Sequence, residues 1–333
     1  MDKILLILTG GTIGSFSENG IINVNSASAY KLVSMYHERF GNDVEFETVQ
    51  PVNILSENMT YDIWLRLCEC IDSVDVSKYR GIIICHGSDT LSYTSAFIGL
   101  LYNKLNIPVV LIAANYELEN KKSNGIINLR NAVLVVKQGM RGVFTAYSNN
   151  KGENDIYLAT RIVESDPYTD QYRSFDGAPW GKISGNKLII NAKSGINMIN
   201  DEFKAVINER PLSLNNKVML IRPYPGMSYD NISLEGISAV VHYMYHSATA
   251  CTAGEETSVL KFAERCAAKN IKIYGASFKN ENLEEVYKSS NEMLERGIIP
   301  LFNISPEAAY AKILISENMK NADISKCWYF ENV

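Results

Sequence analysis

Short unbroken apolar runs alternate along this chain with longer segments whose apolar residues recur at helical spacing. Lys3–Leu8, Val44–Val49, Arg80–Cys85 and Pro108–Ala113 are predicted to be strands, because runs of this length are what a doubly covered sheet requires. Between them, Ala27–Phe40 carries Leu32, Met35, Tyr36 and Phe40 on one helical face, and Thr60–Ile71 carries Ile63, Leu65, Leu67 and Ile71. Ser92–Leu101 and a segment starting at Asn128–Val136 are predicted helices. Segments 141–147, 156–163 and 181–192 are predicted to be extended, with a hairpin closing the first domain. Residues 193–215 lose clear periodicity. Alternation then resumes with strands at Val218–Ile221, Ile232–Leu234 (followed by a short helix), Ala239–Tyr245, Ile271–Tyr274 and Ile298–Phe302. Helices are predicted over Glu255–Lys269, Asn282–Arg296 and Pro306–Ser316. The pattern predicts two α/β domains: a larger N-terminal one (1–192) with a mostly parallel sheet flanked by helices, a linker (193–215), and a smaller C-terminal parallel-sheet domain (216–333).

Two strand ends carry candidate chemistry. Ile4–Leu8 runs into Thr9-Gly10-Gly11-Thr12-Ile13-Gly14-Ser15, and Gly81–Cys85 runs into His86-Gly87-Ser88-Asp89-Thr90. In open α/β sheets, ligands bind at the carboxyl ends of strands. Each turn alone could equally be a tight connection whose hydroxyl caps a helix. Neither has the spacing of a dinucleotide fingerprint or a phosphate loop.

Composition narrows the field. The chain has 333 residues, 46% of them hydrophobic, and a formal net charge of −5, which argues against a nucleic-acid partner. No stretch approaches a membrane span, and the apolar run after Met1-Asp2-Lys3 is too short for a signal core, so the expected location is the cytoplasm. The six cysteines and four histidines show no metal-ligand spacing; neither a metal nor an organic cofactor is expected.

The two turns resemble those of the L-asparaginase family, in particular its bacterial cytoplasmic (type I) branch, whose motifs are T-G-G-T-I-[AG] and H-G-T-D-T. The resemblance continues, in order, through Leu55-Ser56-Glu57-Asn58-Met59-Thr60, Ser123–Leu129, Ile221–Met227 and Ile304–Ala309 with Lys312. It implies an asparaginase-like fold and an amidohydrolase that releases ammonia from a small-molecule carboxamide through an acyl-enzyme. Thr12 would be the nucleophile, and Ser88, in place of the family's threonine, would form the second catalytic pair with Asp89. Ser56, Glu57 and Asp89 would hold the α-carboxylate and α-ammonium of the substrate, although Ser56 and Glu57 also fit the first turn of a helix. The loop holding Ala114 would line the substrate, and a homodimer or homotetramer would complete the site.

The chain also departs from the family. Ile21 falls where a lid tyrosine is expected, and Tyr30 is the nearest tyrosine. Glu164 falls where the family has a lysine, which makes it either a general base in its own right or a solvent-facing acid. Ala113-Ala114-Asn115-Tyr116 replaces the family's G-[SA]-x loop, and His246–Ala250 replaces a G-x-G-N turn. A modified or peptide-linked amide is therefore a candidate substrate beside asparagine. A silent or repurposed protein that binds an amino-acid-like ligand is the alternative.

Overall fold

The computed structural model describes residues 1–11, 15–18, 21–24, 27–149, 152–192, 207, 209–279 and 286–333, with backbone only at 15–18, 21–24 and 27–30. The chain divides into two compact units, Met1–Asn208 and Glu209–Val333. Most of the segment expected to link them, 193–206 and 208, lies outside the described residues.

In the first unit the order is β1 (Asp2–Leu8), β2 (Ser15–Glu18), β3 (Ile21–Val24), α1 (Ala27–Phe40), β4 (Val44–Val49), α2 (Tyr61–Asp72), β5 (Gly81–Cys85), α3 (Leu91–Tyr102), β6 (Pro108–Ile112), α4 (Gly125–Gln138), β7 (Gly142–Ser148), β8 (Asn154–Leu158), β9 (Ile162–Val163), β10 (Arg173–Ser174), β11 (Gly181–Ser184) and β12 (Lys187–Ile190). Eight strands form one sheet in the order β12-β11-β8-β7-β6-β5-β1-β4. The strands from β7 to β4 are mutually parallel, while β8, β11 and β12 join antiparallel. Every residue of β5 and β6 is buried, which is why both read as unbroken apolar runs. The strand order reverses at β1, so the carboxyl ends of β1, β4 and β5 surround a topological switch point.

Helix α3 is buried on almost all sides. Its Phe97 stacks on Trp64 of α2 with ring centroids 4.6 Å apart, and the Trp64 Nε1–H donates to Thr94 Oγ1 at 2.9 Å. Burial of each such aromatic contributes about 1.5–3 kcal/mol, and the pair fixes α2 against α3.

Two predicted extended segments differ in detail. Residues 156–163 do not form one strand, because the chain turns between β8 and β9, where the Arg161 guanidinium pairs with Asp176 at 2.8 Å in a largely buried position. Residues 181–192 contain two strands, β11 and β12, folded on each other through Gly185-Asn186.

The second unit contains β13 (Lys217–Ile221), β14 (Ile237–Tyr243), α5 (Val259–Ala267), β15 (Lys272–Phe278), α6 (Lys288–Glu295), β16 (Ile299–Phe302) and α7 (Pro306–Glu317). Its four strands are parallel in chain order. The strand and short helix predicted from Ile232 are absent. A single helical turn, Tyr229–Asn231, precedes irregular chain there, and Leu234 is buried without a ladder because Arg265 holds the carbonyls of Tyr229 and Ile232 instead. Helix α5 begins later than predicted because the Ser258 hydroxyl caps it, accepting from Leu260 N–H. Part of the helix predicted at Asn282–Arg296 lies outside the described residues; the described part is α6. Among the described residues, no helix is long and apolar enough to cross a membrane.

Candidate active site

Three strand exits meet at the carboxyl edge of the first sheet. Thr9 N–H and Oγ1–H both donate to the Cys85 carbonyl at 3.0 Å, which joins the end of β1 to the end of β5. Ile54 N–H donates to the Thr9 carbonyl, and Gly11 N–H donates to the Ile54 carbonyl, each at 2.9 Å, which joins β1 to the chain leaving β4. The approach is so close that only glycine fits at Gly10, Gly11 and Gly87, and a Cβ on Gly10 (φ +101°) would sit 2.2 Å from the Ile54 carbonyl oxygen. A Cβ on Gly11, which also has φ +72°, would strike the backbone of Gly87. A Cβ on Gly87 would sit 2.5 Å from Ser56 Oγ.

The polar groups at this junction are shared between turns. Ser56, only 4% exposed, accepts from Asp89 N–H at 3.2 Å through its hydroxyl and donates to Asp89 Oδ2 at 3.4 Å. The Thr90 hydroxyl donates to the Ser56 carbonyl at 2.9 Å. The Ser56 side chain is thus engaged across the junction. Glu57 follows it, exposed, on the helical turn Ser56–Asn58. Ser88 is half-buried and Asp89 exposed, so hydroxyl and carboxylate stand at the mouth of the junction.

His86 lies beneath them, fully buried, with Nδ1 2.7 Å from the Gly87 carbonyl. Burial holds its imidazole down at about 4. It is therefore neutral at pH 7 and braces the turn as an N–H donor.

The fourth exit is also locked. Ala114 is buried directly after β6. Asn115 and Asn124 exchange backbone-to-side-chain hydrogen bonds of 3.0 Å, and Asn124 Nδ2 donates to the Ser148 carbonyl at 2.8 Å. Asn128 bridges the Ala113 carbonyl and Ser148 N–H.

The structure therefore brings Ser56, Ser88 and Asp89 together, with Gly11 against them. Thr12 lies outside the described residues, as do the side chains of Ile21 and Tyr30. Glu164 is exposed just after β9, where its Oε1 accepts from the Tyr93 hydroxyl of α3 at 2.7 Å. In the second unit, His246–Ala250 forms a tight turn closed by Tyr245 N–H donating to the Thr249 carbonyl at 2.9 Å.

One residue at the second turn has no signal in the sequence pattern. Tyr172, 3% exposed, donates its hydroxyl to the Ser88 carbonyl at 2.5 Å. It lies in the polar stretch Asp166–Arg173, which shows no periodicity. Among the described residues, no group of three or more His, Cys, Asp or Glu could hold a metal ion.

The fold sets hydroxyls and a carboxylate at a switch point, where open α/β sheets bind ligands. The family model described as asparaginase, N-terminal, matches residues 3–195, more than half of the 333. The chain belongs to the asparaginase family. Solved structures with the same fold include the L-asparaginase of Thermococcus kodakarensis, 22% identical with 99% of each chain covered and a TM-score of 0.80. The L-asparaginase I of Vibrio cholerae O1 biovar eltor is 20% identical, covering 100% of this chain and 99% of that one, with a TM-score of 0.78. In sequence, the chain is also similar to a glutamyl-tRNA(Gln) amidotransferase subunit of Sulfolobus acidocaldarius, 24% identical over 94% of this chain and 70% of the relative. The corresponding protein of Methanosphaera stadtmanae is 28% identical over 79% and 60%.

Proposed function

We propose that this chain hydrolyses the side-chain amide of an amino-acid-like substrate in the cytoplasm, with Thr12 as nucleophile. The observation that carries the reading is the junction in which Ser56 and Asp89 pair across two strand exits, beside the glycine that precedes Thr12. The Thr12 hydroxyl oxygen attacks the amide carbon, the C–N bond breaks, and the hydroxyl proton leaves with the nitrogen as ammonia. Water then cleaves the ester, returning one proton to Thr12 and leaving a carboxylic acid, whose own proton passes to the released ammonia to give carboxylate and ammonium. The half-buried Ser88 hydroxyl orients that water, and Asp89 assists it. Glu57 and Asp89, both exposed at the mouth, face the substrate's ammonium, while Ser56 and the Ala114 loop take its carboxylate side. A homodimer or dimer of dimers would complete the site, as the family resemblance implies; sedimentation as a monomer at micromolar concentration would count against it.

A second reading has support from the relatives named as parts of an amidotransferase, one of which matches 94% of the chain. In that reading the amide nitrogen is passed to an acceptor rather than lost to solvent. Ammonia release from free asparagine, free glutamine and peptide-linked amides, with Thr12→Ala as control, tests the first reading. Absence of turnover on every amide, with Thr12→Ala indistinguishable from wild type, would refute it.

A further inference from the structure

The second turn is held at both ends of one peptide plane. In the peptide joining Ser88 to Asp89, the Ser88 carbonyl accepts from the Tyr172 hydroxyl at 2.5 Å, and the Asp89 N–H donates to Ser56 Oγ at 3.2 Å. A trans peptide sets its C=O and N–H in opposite directions within one plane, so two such bonds fix the plane's rotation. The side chains flanking that plane are the Ser88 hydroxyl and the Asp89 carboxylate. The Ser88 carbonyl also accepts from Leu91 N–H at 3.3 Å, which ties the plane to the start of α3.

Tyr172 is itself rigidly mounted. Its ring meets Tyr147 edge-on, with centroids 4.6 Å apart. Its N–H donates to Asn149 Oδ1 at 3.2 Å. Its carbonyl lies 3.0 Å from the Tyr157 hydroxyl, which is also 3.2 Å from Asp155 Oδ2 and has one proton to give to either. Asn149 Nδ2 donates to the same Asp155 oxygen at 2.7 Å, which closes a buried cluster behind the tyrosine. Burial, with the Asp89 and Asp170 carboxylates nearby, pushes the Tyr172 phenol well up, so it stays a donor.

We infer that Tyr172 is a positioning residue, which aims the Ser88 hydroxyl and the Asp89 carboxylate by clamping the peptide between them against Ser56. The inference rests on the proposed amide hydrolysis. It assigns to Tyr172, which approaches from the chain after β9, the task of bracing the second turn.

Tyr172→Phe tests this, because it deletes the hydroxyl and keeps the ring on Tyr147. The kcat for ammonia release should fall roughly 10- to 100-fold, as expected for a misaimed reacting group, with KM changed less than about threefold. In a Ser88→Ala background the same substitution should cost less than about threefold, because two residues that act as one unit are not additive. Amide hydrogen exchange at Asp89 and Leu91 should accelerate, while the unfolding midpoint stays near that of wild type. Unchanged kcat and exchange in Tyr172→Phe, or full additivity with Ser88→Ala, would overturn the inference. If wild type turns over no amide, the functional reading fails, and the exchange of Asp89 and Leu91 alone decides whether Tyr172 holds the turn.

Discussion

The two units hold their polar clusters in opposite ways. In the first unit the turns share them: Ser56 bridges to Asp89, Tyr172 reaches Ser88, and the Asp89 carboxylate remains exposed. In the second unit the main polar cluster is sealed. Glu331, fully buried, accepts from Lys312 Nζ at 2.8 Å, Trp328 N–H at 2.8 Å and Tyr329 N–H at 2.7 Å. Lys312 is 3% exposed at its side chain, donates also to the Lys326 carbonyl at 2.7 Å, and stands over the Trp328 ring. A carboxylate that has spent its lone pairs on four nearby donors, with Cys327 Sγ at 3.4 Å as the fourth, fixes the path of the chain terminus. A carboxylate with one hydroxyl partner and open water can exchange that water for a ligand's cation. The same type of group is sealed in one unit and open to solvent in the other, and that enclosure decides whether it can meet a ligand.

The first way to break this contrast is Thr12→Ala. If the open junction is catalytic, the substitution should reduce ammonia release by roughly 10⁴-fold or more, about 5 kcal/mol of barrier, as loss of a nucleophile does elsewhere. The unfolding midpoint should barely move. A variant that retains a tenth of wild-type turnover would remove Thr12 from the mechanism.

The sealed cluster should respond in stability instead. Lys312→Met leaves the Glu331 charge buried without its cation, which costs about 3–5 kcal/mol. Both partners are nearly inaccessible to solvent, so screening does little to reduce this. Adding Glu331→Gln should recover part of the loss, because the remaining group is neutral. Urea unfolding of the single and double variants checks this, and a double variant less stable than Lys312→Met would contradict it.

These two regions differ in how far the sequence disclosed them. Ile4–Leu8, Gly81–Cys85 and Pro108–Ile112 were readable because burial on both faces leaves no polar alternation to confuse the pattern. The turns at Gly10-Gly11 and Gly87-Ser88-Asp89 stood out only as a pair, because a single hydroxyl after glycine at a strand end fits a helix cap as well. Lys312 was legible only as part of a motif; its partner Glu331 lies 19 residues on, beyond the end of α7. Tyr172 was not legible at all. It reaches Ser88 across 84 residues from an aperiodic polar stretch, and no local rule connects the two. The break between β8 and β9 was hidden for a similar reason, since the Arg161–Asp176 pair that stabilises it joins side chains of residues that look like ordinary surface charges. Thr12 remains a reading of the sequence, because it lies outside the described residues.

A third measurement treats the two units alike and so serves as a control on the contrast. Each contains a buried histidine, His86 in the first and His242 in the second, with His242 Nε2 2.7 Å from the Tyr229 hydroxyl. Burial lowers each from 6.5 to about 4. Between those values the unfolded chain binds a proton at each site and the folded chain does not. Stability contributed by neutral burial is therefore fully present above about pH 6.5 and falls as pH drops towards 4, by at most roughly 3 kcal/mol per site. His242→Phe should remove about half of the fall measured by urea unfolding at pH 7 and pH 4.5. A pH dependence unchanged in that variant would show that other groups cause it.

The smallest effect is expected at Glu164, and it sharpens the comparison within the first unit. Tyr172 and Glu164 both follow β8, yet one is sealed against the Ser88 carbonyl and the other is exposed, accepting from the Tyr93 hydroxyl at 2.7 Å. A glutamine at 164 keeps an oxygen that can accept the same bond and removes only the charge. Exposed charges contribute little once water screens them, so Glu164→Gln should change ammonia release by less than about threefold, under ~1 kcal/mol of barrier. The acidic limb of the pH–rate profile should keep its position, because a rim carboxylate that takes no proton from water or substrate does not set it. A loss of roughly 100-fold or more, together with a displaced acidic limb, would make Glu164 the proton acceptor standing in for the family's lysine. In that case the brace on the second turn and the base acting on it would come from the same stretch of chain, and Tyr172→Phe and Glu164→Gln should fail to add.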